Sequence, residues 1–472
     1  MIMKKRILKA YKKTVSIVNE TTTGLYESLG RGKIGFLLES YDKNNGRYSF
    51  FGAEPDEIIQ SQGESLIITK QDGTREVYYG NPKELLKEYI SSFQVTKEPG
   101  EFAFCGGVVG SLGYDFIRYS EELPDNNQEE IGVETIQLML ASKFITIDHV
   151  AETMSAVILE EDTLLGREKA HMEAEQLLKR ALECCQQENC HTTLDGIIIK
   201  KSDTLEEYSS KVNKIKEYIK EGHIFQTVLS QRWTIQTKQE GFELYKALRL
   251  KNPSPYLYYL NFGEFEIIGS SPEMLVKCVD NKVSTCPIAG TRKRGDTQEE
   301  DKALEQELLE DEKEKAEHVM LVDLARNDMG RICEFGTVKV TQFMDVQKYS
   351  HVMHIVSYVE GRRKEVYPSI DLIASFLPAG TLSGAPKIRA MEIIDELETV
   401  RRGLYGGATG YIDFNGNMDM CITIRTMIKK GDKVYLQAGA GIVADSVAAS
   451  EYMECCNKVM ALAKILVKED EL

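Results

Sequence analysis

No apolar run in this sequence approaches the length of a membrane span, and its ten cysteines include no Cys-x-x-Cys spacing. The first absence excludes a bilayer-spanning helix, which needs about 20 consecutive apolar residues. The second argues against a structural zinc site and a disulfide framework. With Cys184-Cys185 and Cys455-Cys456 adjacent, the thiols read as reduced and the compartment as cytoplasmic. The basic start, Met1 to Lys13, has no apolar core long enough for a signal peptide. Positive charge is short too: 58 Lys and Arg against 74 Asp and Glu leave a net −16. That disfavours nucleic acid and anionic membranes as partners, and makes an anionic substrate awkward unless a metal or local arginines offset the field. There is no repeat at solenoid periods. Glycine-dense Phe104–Tyr114 lacks the strand–Gly-x-Gly-x-x-Gly–helix setting of a dinucleotide site, so close backbone packing is its reading.

What is present is an ordinary globular composition, 42% hydrophobic and 28% charged, in a chain of 472 residues. That length predicts two domains or one large fused sandwich. Residues 14–80 alternate short β-type runs with turns and predict an antiparallel sheet. A helix over Pro82–Phe93, strands at Ile136–Met139, Phe144–Asp148 and Met154–Leu159, and a charged helix over Arg167–Glu188 follow. Polar Gln186–Ser202 reads as a linker. Beyond it the elements lengthen: a helix at Glu206–Glu221 with Gly222 as its C-terminal stop, a strand at Ile224–Trp233, a helix at Gly241–Leu250 ended by Asn252-Pro-Ser-Pro255, and strands between Tyr256 and Cys286. His351–Glu360 fits either period. A strand meander over Ala408–Asp413, Asp419–Ile428 and Lys433–Ala438 precedes a closing helix, Ala448–Val467.

The most informative stretch is Lys313–Asp328, free of Gly and Pro and rich in helix formers. At helical spacing Glu314, Glu317, Leu321 and Leu324 share one face. Carboxylates that continue an apolar stripe are costly to bury without a partner. Glu451 and Glu454 repeat the device ahead of the last apolar helical run. Four oxygen ligands on two helices suit a hard ion such as Mg²⁺, although each pair alone reads equally as a solvated helix face. Three small-residue turns, Cys286–Arg292, Pro378–Pro386 and Gln437–Val443, offer backbone N–H groups to an anion, with Arg292, Lys387 and Arg389 nearby. With Arg425 and Tyr405 they outline a site for a carboxylate-rich small molecule. His354 is an acid/base candidate. Glu273, where a strand ends, is a general-acid candidate if burial raises its pKa, or an N-cap cluster residue otherwise.

Phe225-Gln-Thr-Val-Leu-Ser-Gln-Arg232, Gly269-Ser-Ser-Pro-Glu273, Pro287-Ile-Ala-Gly-Thr-Arg292, Ala316–Asp328, Gly380-Thr-Leu-Ser-Gly-Ala-Pro-Lys387 and Ser450–Lys458 together resemble the chorismate-utilising enzymes, in the order that family keeps. The resemblance implies an α+β fold, a four-layer α/β/β/α sandwich of two large antiparallel sheets with the site in a cleft between them. It implies a chorismate-binding catalytic domain over 200–472 and an N-terminal regulatory, tryptophan-binding region over 1–190. Relatives that add water carry a Lys base where this chain has Gln226, and an amide cannot deprotonate water. Ammonia, already a nucleophile, is therefore the implied reactant. Ala289 stands where aminodeoxychorismate-forming relatives carry a Lys, which suits direct amination of the ring and release of anthranilate and pyruvate.

On this resemblance Glu317 and Glu454, supported by Glu314 and Glu451, hold Mg²⁺ on the ring carboxylate. Glu273 protonates the departing hydroxyl while ammonia enters near Gln226, and His354 assists the elimination of pyruvate. Gly290, Thr291, Thr381, Tyr405, Arg425, Gly439, Ala440, Gly441 and Lys458 bind the substrate. Leu37–Ser40 and Asn252–Leu257 match a tryptophan feedback pocket, with Glu39, Ser40, Pro255, Tyr256 and Leu257 at its walls. The sequence contains no Gly-x-Cys-x-Gly nucleophile elbow, so a separate glutamine amidotransferase subunit, component II, is expected to supply ammonia. Aminodeoxyisochorismate or aminodeoxychorismate formation, and a non-catalytic sensing subunit that kept the fold, are the alternatives.

Overall fold

The computed structural model describes residues 3–18, 20–40, 46–183, 194–348 and 352–468. Two large sheets, of 13 and 12 strands, dominate it. Alternation along the strands shows why they stack. Phe36, Phe50, Tyr258, Leu260 and Ile267 join the core shared with the second sheet's Val109, Leu138, Ile412 and Met420. Their chain neighbours Leu37, Phe51, Leu257, Tyr259 and Ile268 join a separate core with helix residues Leu25, Ala174 and Tyr245. A strand apolar at successive positions buries both faces, one on a sheet and one on helices, and so demands the layered sandwich. Pairing is antiparallel throughout, apart from Arg6–Ser16, which runs parallel to Phe93–Lys97.

Both sheets mix the two halves of the sequence. Tyr256–Asn261 pairs with Gly35–Glu39 in the first sheet, and Ala408–Asp413 pairs with Gly107–Leu112 in the second. The helices start where their caps dictate. Thr204 and Glu207 form a capping box for Leu205–Lys220, Thr297 and Glu300 one for Gln298–Glu310. Asp311 accepts from Lys313 N and Glu314 N to begin Glu312–Ile332.

Two expectations change. Asp419–Ile428 is two strands, Met418–Ile422 and Thr426–Lys430, in different sheets. The break falls at Arg425, φ +50°, where β-branched neighbours on both sides gave no sign of it. The linker carries a strand, Ile197–Lys201, paired with Gln226–Gln236, because β-branched isoleucines favour the extended backbone and Ile198 packs on the helix-side core; the rest of that stretch through 193, with Cys184 and Cys185, lies outside the described residues. Val352–Arg362, which fits either period in the sequence, is a strand. The seven cysteines among the described residues are free and buried, and no described helix is long and apolar enough to cross a membrane.

The glycine-dense segment is a strand, as close packing requires. Gly110 faces Gly410 across the seam between the halves. A Cβ on Gly110 would lie 2.0 Å from Gln137 O, and one on Gly410 2.1 Å from Asp419 O. Gly110→Ala should therefore cost about 3 kcal/mol, an overpacking loss with backbone as the obstacle. At Gly73, φ +83° with open space around it, alanine should cost only about 1 kcal/mol of backbone strain. Urea midpoints of the two variants decide this; equal losses would mean that close approach is not what demands glycine in the seam.

Candidate active site

Two chain crossings between the sheets build the site. Glu266–Ser271 lies in the first sheet and Met274–Val279 in the second, so Pro272-Glu273 spans the gap. Met418–Ile422 and Thr426–Lys430 cross the other way, with Arg425 in the connection. The crossings are clasped together: Ile422 N donates to Glu273 O at 2.9 Å, and Ser270 N to Arg425 O at 3.1 Å. An acid and a guanidinium thus meet where neither sheet can continue.

Around them is a cavity of about 530 Å³. Of the residues singled out from sequence, Gln226, Glu273, Gly290, Thr291, Glu317, His354, Thr381, Tyr405, Arg425, Gly439, Gly441, Glu454 and Lys458 all line it. An open depression that shares Arg425, Glu454 and Lys458 with the cavity forms its mouth. The structure also adds residues that carried no chemical signal in sequence, among them Val228, Leu382 and Gln437. They are ordinary strand and turn residues, legible as site residues only once the sheets are folded together.

Glu273 is half-buried in the cavity wall, and desolvation pushes its carboxyl up to about 7, against the downward pull of the Thr381 hydroxyl and of the Lys458 and Arg425 charges. Thr381 Oγ1 donates to its Oε1 at 3.0 Å. Near neutrality the group is therefore available as an acid. His354 behaves oppositely, since burial lowers its pKa and keeps the ring neutral. Its Nδ1 donates to Gly290 O at 2.8 Å, with Thr291 Oγ1 at 3.1 Å from the same nitrogen. That bond makes Nε2 the basic nitrogen of the ring. Gly290 does not sit in a turn, as expected, but at φ +66° in a bulge of the strand Ile288–Lys293. The bulge turns its carbonyl toward the histidine.

The anion-binding candidates sort themselves. Burial lowers the pKa of Arg425, and the Tyr405, Glu454 and Glu273 charges offset part of that. Lys458 Nζ donates to Gly439 O at 2.9 Å and to Glu454 at 2.6 Å. Gly439, Ala440 and Gly441 belong to the strand Lys433–Ile442 rather than to a turn after it. The Ala440 side chain faces the core beside Tyr208 and Ile393, so only its backbone can serve a ligand. Lys387 and Arg389 are committed elsewhere: Lys387 to Asp328 at 3.2 Å, Arg389 to Glu392 and His223. Arg292 pairs with Glu307 and Asp311.

The four carboxylates do not converge. Glu317 and Glu454 face the cavity, whereas Glu314 and Glu451 do not line it, and Glu314 lies 3.5 Å from Arg292. Among the described residues no group of three or more His, Cys, Asp or Glu is placed to hold a metal. One helical turn displaces each outer glutamate along its helix, away from the cavity mouth. The remaining pair still fits a hard ion. Burial, then the Glu314 and Glu454 charges, push Glu317 up against the pull of Lys313 and Lys458, so a further cation there would relieve Glu317, while Glu454 already has Lys458 at 2.6 Å. Mg²⁺ ordinarily takes one or two carboxylates and completes its shell with waters and substrate oxygens.

The five residues assigned to an effector pocket come together at the Gly35–Glu39/Tyr256–Asn261 seam, where Leu257 pairs with Glu39 and Ser40 follows the strand. Glu39 accepts from Tyr245 Oη and from Arg249 Nε. Tyr256 Oη donates to Asp419 at 2.9 Å, reaching the second sheet. Pro255 lines the large cavity itself.

A fold of two stacked sheets with this cavity between them is that of the chorismate binding enzymes, whose family description matches residues 36–464, and the chain belongs to that family. Among its relatives is anthranilate synthase component 1 of Acetivibrio thermocellus, 47% identical over 465 residues, which cover 96% of this chain and 94% of that protein. Anthranilate synthase component 1 of Bacillus subtilis is 41% identical, covering 97% and 92%. The crystal structure of anthranilate synthase component I from Streptococcus pneumoniae superposes with a TM-score of 0.78 at 39% identity, covering 89% of this chain and 92% of that one. The menaquinone-specific isochorismate synthase from Escherichia coli shares the fold, at TM-score 0.70 and 18% identity.

The Thr381 hydroxyl favours the charged form of Glu273, so Thr381→Val should raise the Glu273 pKa by about one unit, the worth of one hydrogen bond to a charge. Difference infrared titration of the carboxyl C=O band, identified by its loss in Glu273→Gln, measures it. An unmoved band would remove Thr381 as the partner that tunes the acid.

Proposed function

We propose that this chain is the ammonia-using subunit of an anthranilate synthase, converting chorismate and ammonia to anthranilate and pyruvate. The observation that carries this reading is a cavity in which Glu273 titrates at about 7 and His354 stays neutral, while position 226 offers an amide and position 289 a methyl group. At those two positions an amide and a methyl group can neither deprotonate water nor form a covalent adduct, which favours a nucleophile that arrives ready to react.

In the first step Glu273 gives its proton to the departing ring hydroxyl, which leaves as water. Ammonia adds to the ring near Gln226, and the surplus proton on the new nitrogen restores Glu273. In the second step the ring loses the proton at the aminated carbon to His354 Nε2. The enolpyruvyl C–O bond breaks, pyruvate departs after protonation at its methylene carbon, and the ring becomes aromatic. Arg425, Tyr405, Lys458, Thr291 and the Gly439–Gly441 backbone hold the two substrate carboxylates. Glu317 and Glu454 would hold Mg²⁺, with Glu314 and Glu451 behind them; when bound, the ion supplies positive charge against the ring carboxylate of an acidic protein.

The N-terminal region, 1–190, is the regulatory part and 200–472 the catalytic part. Tryptophan would bind at the seam of Glu39, Ser40, Pro255, Tyr256 and Leu257. Tyr245 and Arg249 both bond Glu39 Oε2, so the remaining acceptor sites of Glu39, or backbone carbonyls beside it, would take the tryptophan ammonium. Pro255 also lines the substrate cavity, which gives an effector at this seam a short route to the substrate. A glutaminase component supplies ammonia in the cell.

Purified chain given chorismate, ammonium chloride and Mg²⁺ should produce fluorescent anthranilate, lost with EDTA and suppressed by tryptophan. A pyruvyl-bearing amine as the final product would place the chain in the aminodeoxyisochorismate branch, and no turnover would favour the sensing subunit. His354→Ala should release that amine in place of anthranilate; unchanged anthranilate output would take His354 out of the mechanism. At fixed free ammonia, kcat/KM for chorismate should fall as pH rises through about 7, where Glu273 loses its proton. A profile flat from pH 6 to 9 would contradict its role as the acid.

A further inference from the structure

Beneath the cavity floor lies a buried ion pair that the mechanism above leaves unused. Glu398 and Arg402 are 6% and 2% exposed. Arg402 Nε donates to Glu398 Oε2 at 2.9 Å, and Nη2 donates to Oε1 at 2.6 Å. Glu398 Oε1 also accepts from Ser230 N and Oγ, each at 2.8 Å. The rest of the guanidinium faces the site. Nη2 donates to Val228 O at 2.8 Å and Nη1 donates to Leu382 O. Its Cζ lies 4.6 Å from the Tyr114 ring centre and 5.6 Å from that of Tyr405. Val228, Leu382 and Tyr405 all line the cavity. Apolar residues often fill such a place at no loss of stability, so the pair asks for a reason beyond folding.

The reason lies in the single turn Gly380–Leu382. Its Thr381 donates to Glu273. Its far end is pinned to the strand Gln226–Gln236, where Val228 N and Thr227 Oγ1 both donate to Ser383 O. On its other side Gly380 packs tightly on Leu324, where a Cβ would lie 1.7 Å from Cδ2, but a second space of about 50 Å³, lined by Glu273, Thr381, Phe376 and Asp328, lies behind Thr381. That is room for a water or two, and equally room for the turn to relax away from the substrate. We propose that Arg402, held in place by Glu398, is a positioning residue that fixes this turn so that Thr381 orients the Glu273 carboxyl for proton donation. The proposal rests on the reading of Glu273 as the acid of the amination step.

The test is a cycle of Arg402→Met, Thr381→Val and the double variant, followed by chorismate consumption with ammonium and Mg²⁺, each rate normalised to folded protein by circular dichroism. Arg402→Met should lower kcat by about 100-fold, the cost of a reacting group misplaced by about 1 Å, with the chorismate KM within about threefold of wild type. Thr381→Val should lower kcat less, and the double variant should be no worse than Arg402→Met alone, because both changes release one carboxyl. Arg402→Lys should fall between wild type and Arg402→Met, since an ammonium can pair with Glu398 but cannot fork to both carbonyls. If Arg402→Met does not fold, Arg402→Lys replaces it in the cycle. Losses that multiply in the double variant, or a folded Arg402 variant with kcat within twofold of wild type, would overturn the proposal. A wild-type chain that consumed no chorismate would instead fail the reading of the site itself, before any variant is compared.

Discussion

Burial of charge between two sheets is the constraint on which the rest of this structure depends. The strands cross from one sheet to the other at Pro272-Glu273 and at Thr423–Arg425, clasped by backbone bonds from Ile422 to Glu273 and from Ser270 to Arg425. A crossing cannot be a regular strand, so its backbone turns polar groups inward where a sheet would present only side chains. Arg425 takes a left-handed conformation to do so, a strain of order 1–3 kcal/mol that the surrounding pairing has to sustain.

From that constraint the electrostatics follow. Glu273 and His354 are pushed in opposite directions by the same desolvation, because burial penalises whichever form is charged. The result is an acid and a base whose working forms coexist near neutrality. The net −16 of the chain is offset where it matters by Arg425 and Lys458, and Glu317, pushed up by burial and by Glu314 and Glu454, invites a divalent ion. Low dielectric makes each of these groups effective and makes each unpaired group costly, which is why Glu398 and Arg402 beneath them bond to each other, to Ser230 and to two backbone carbonyls.

Much of this was legible beforehand, for reasons that can be named. The helix Glu312–Ile332 has its cap in Asp311, its periodicity in the spacing of Glu317 and Leu321, and no breaker. Ala408–Asp413 and Met274–Val279 form over the residues whose β-branched and apolar pattern predicts them. What escaped notice depends on partners far along the chain. Asp419–Ile428 reads as one strand because nothing local marks the change of sheet. Gly290 reads as a turn because a bulge requires a partner strand, here Val352–Arg362. Lys387 reads as a ligand for an anion because its own partner, Asp328, lies 59 residues away.

Sequence by itself determined the chemistry at hand: which side chains can donate a proton, accept one, carry charge or merely offer an amide, as at Gln226. It determined the two-faced apolar strands as well, and with them the layered sandwich, since alternation and capping act within a few residues. Only the tertiary structure decided which of those groups meet. It brought Glu317 and Glu454 to one cavity and left Glu314 and Glu451 aside, committed Arg292, Lys387 and Arg389 to other carboxylates and a histidine, and seated Arg402 under the floor. Those outcomes turn on burial and on distances between residues far apart in the chain, and such quantities exist only after the sheets have closed on one another.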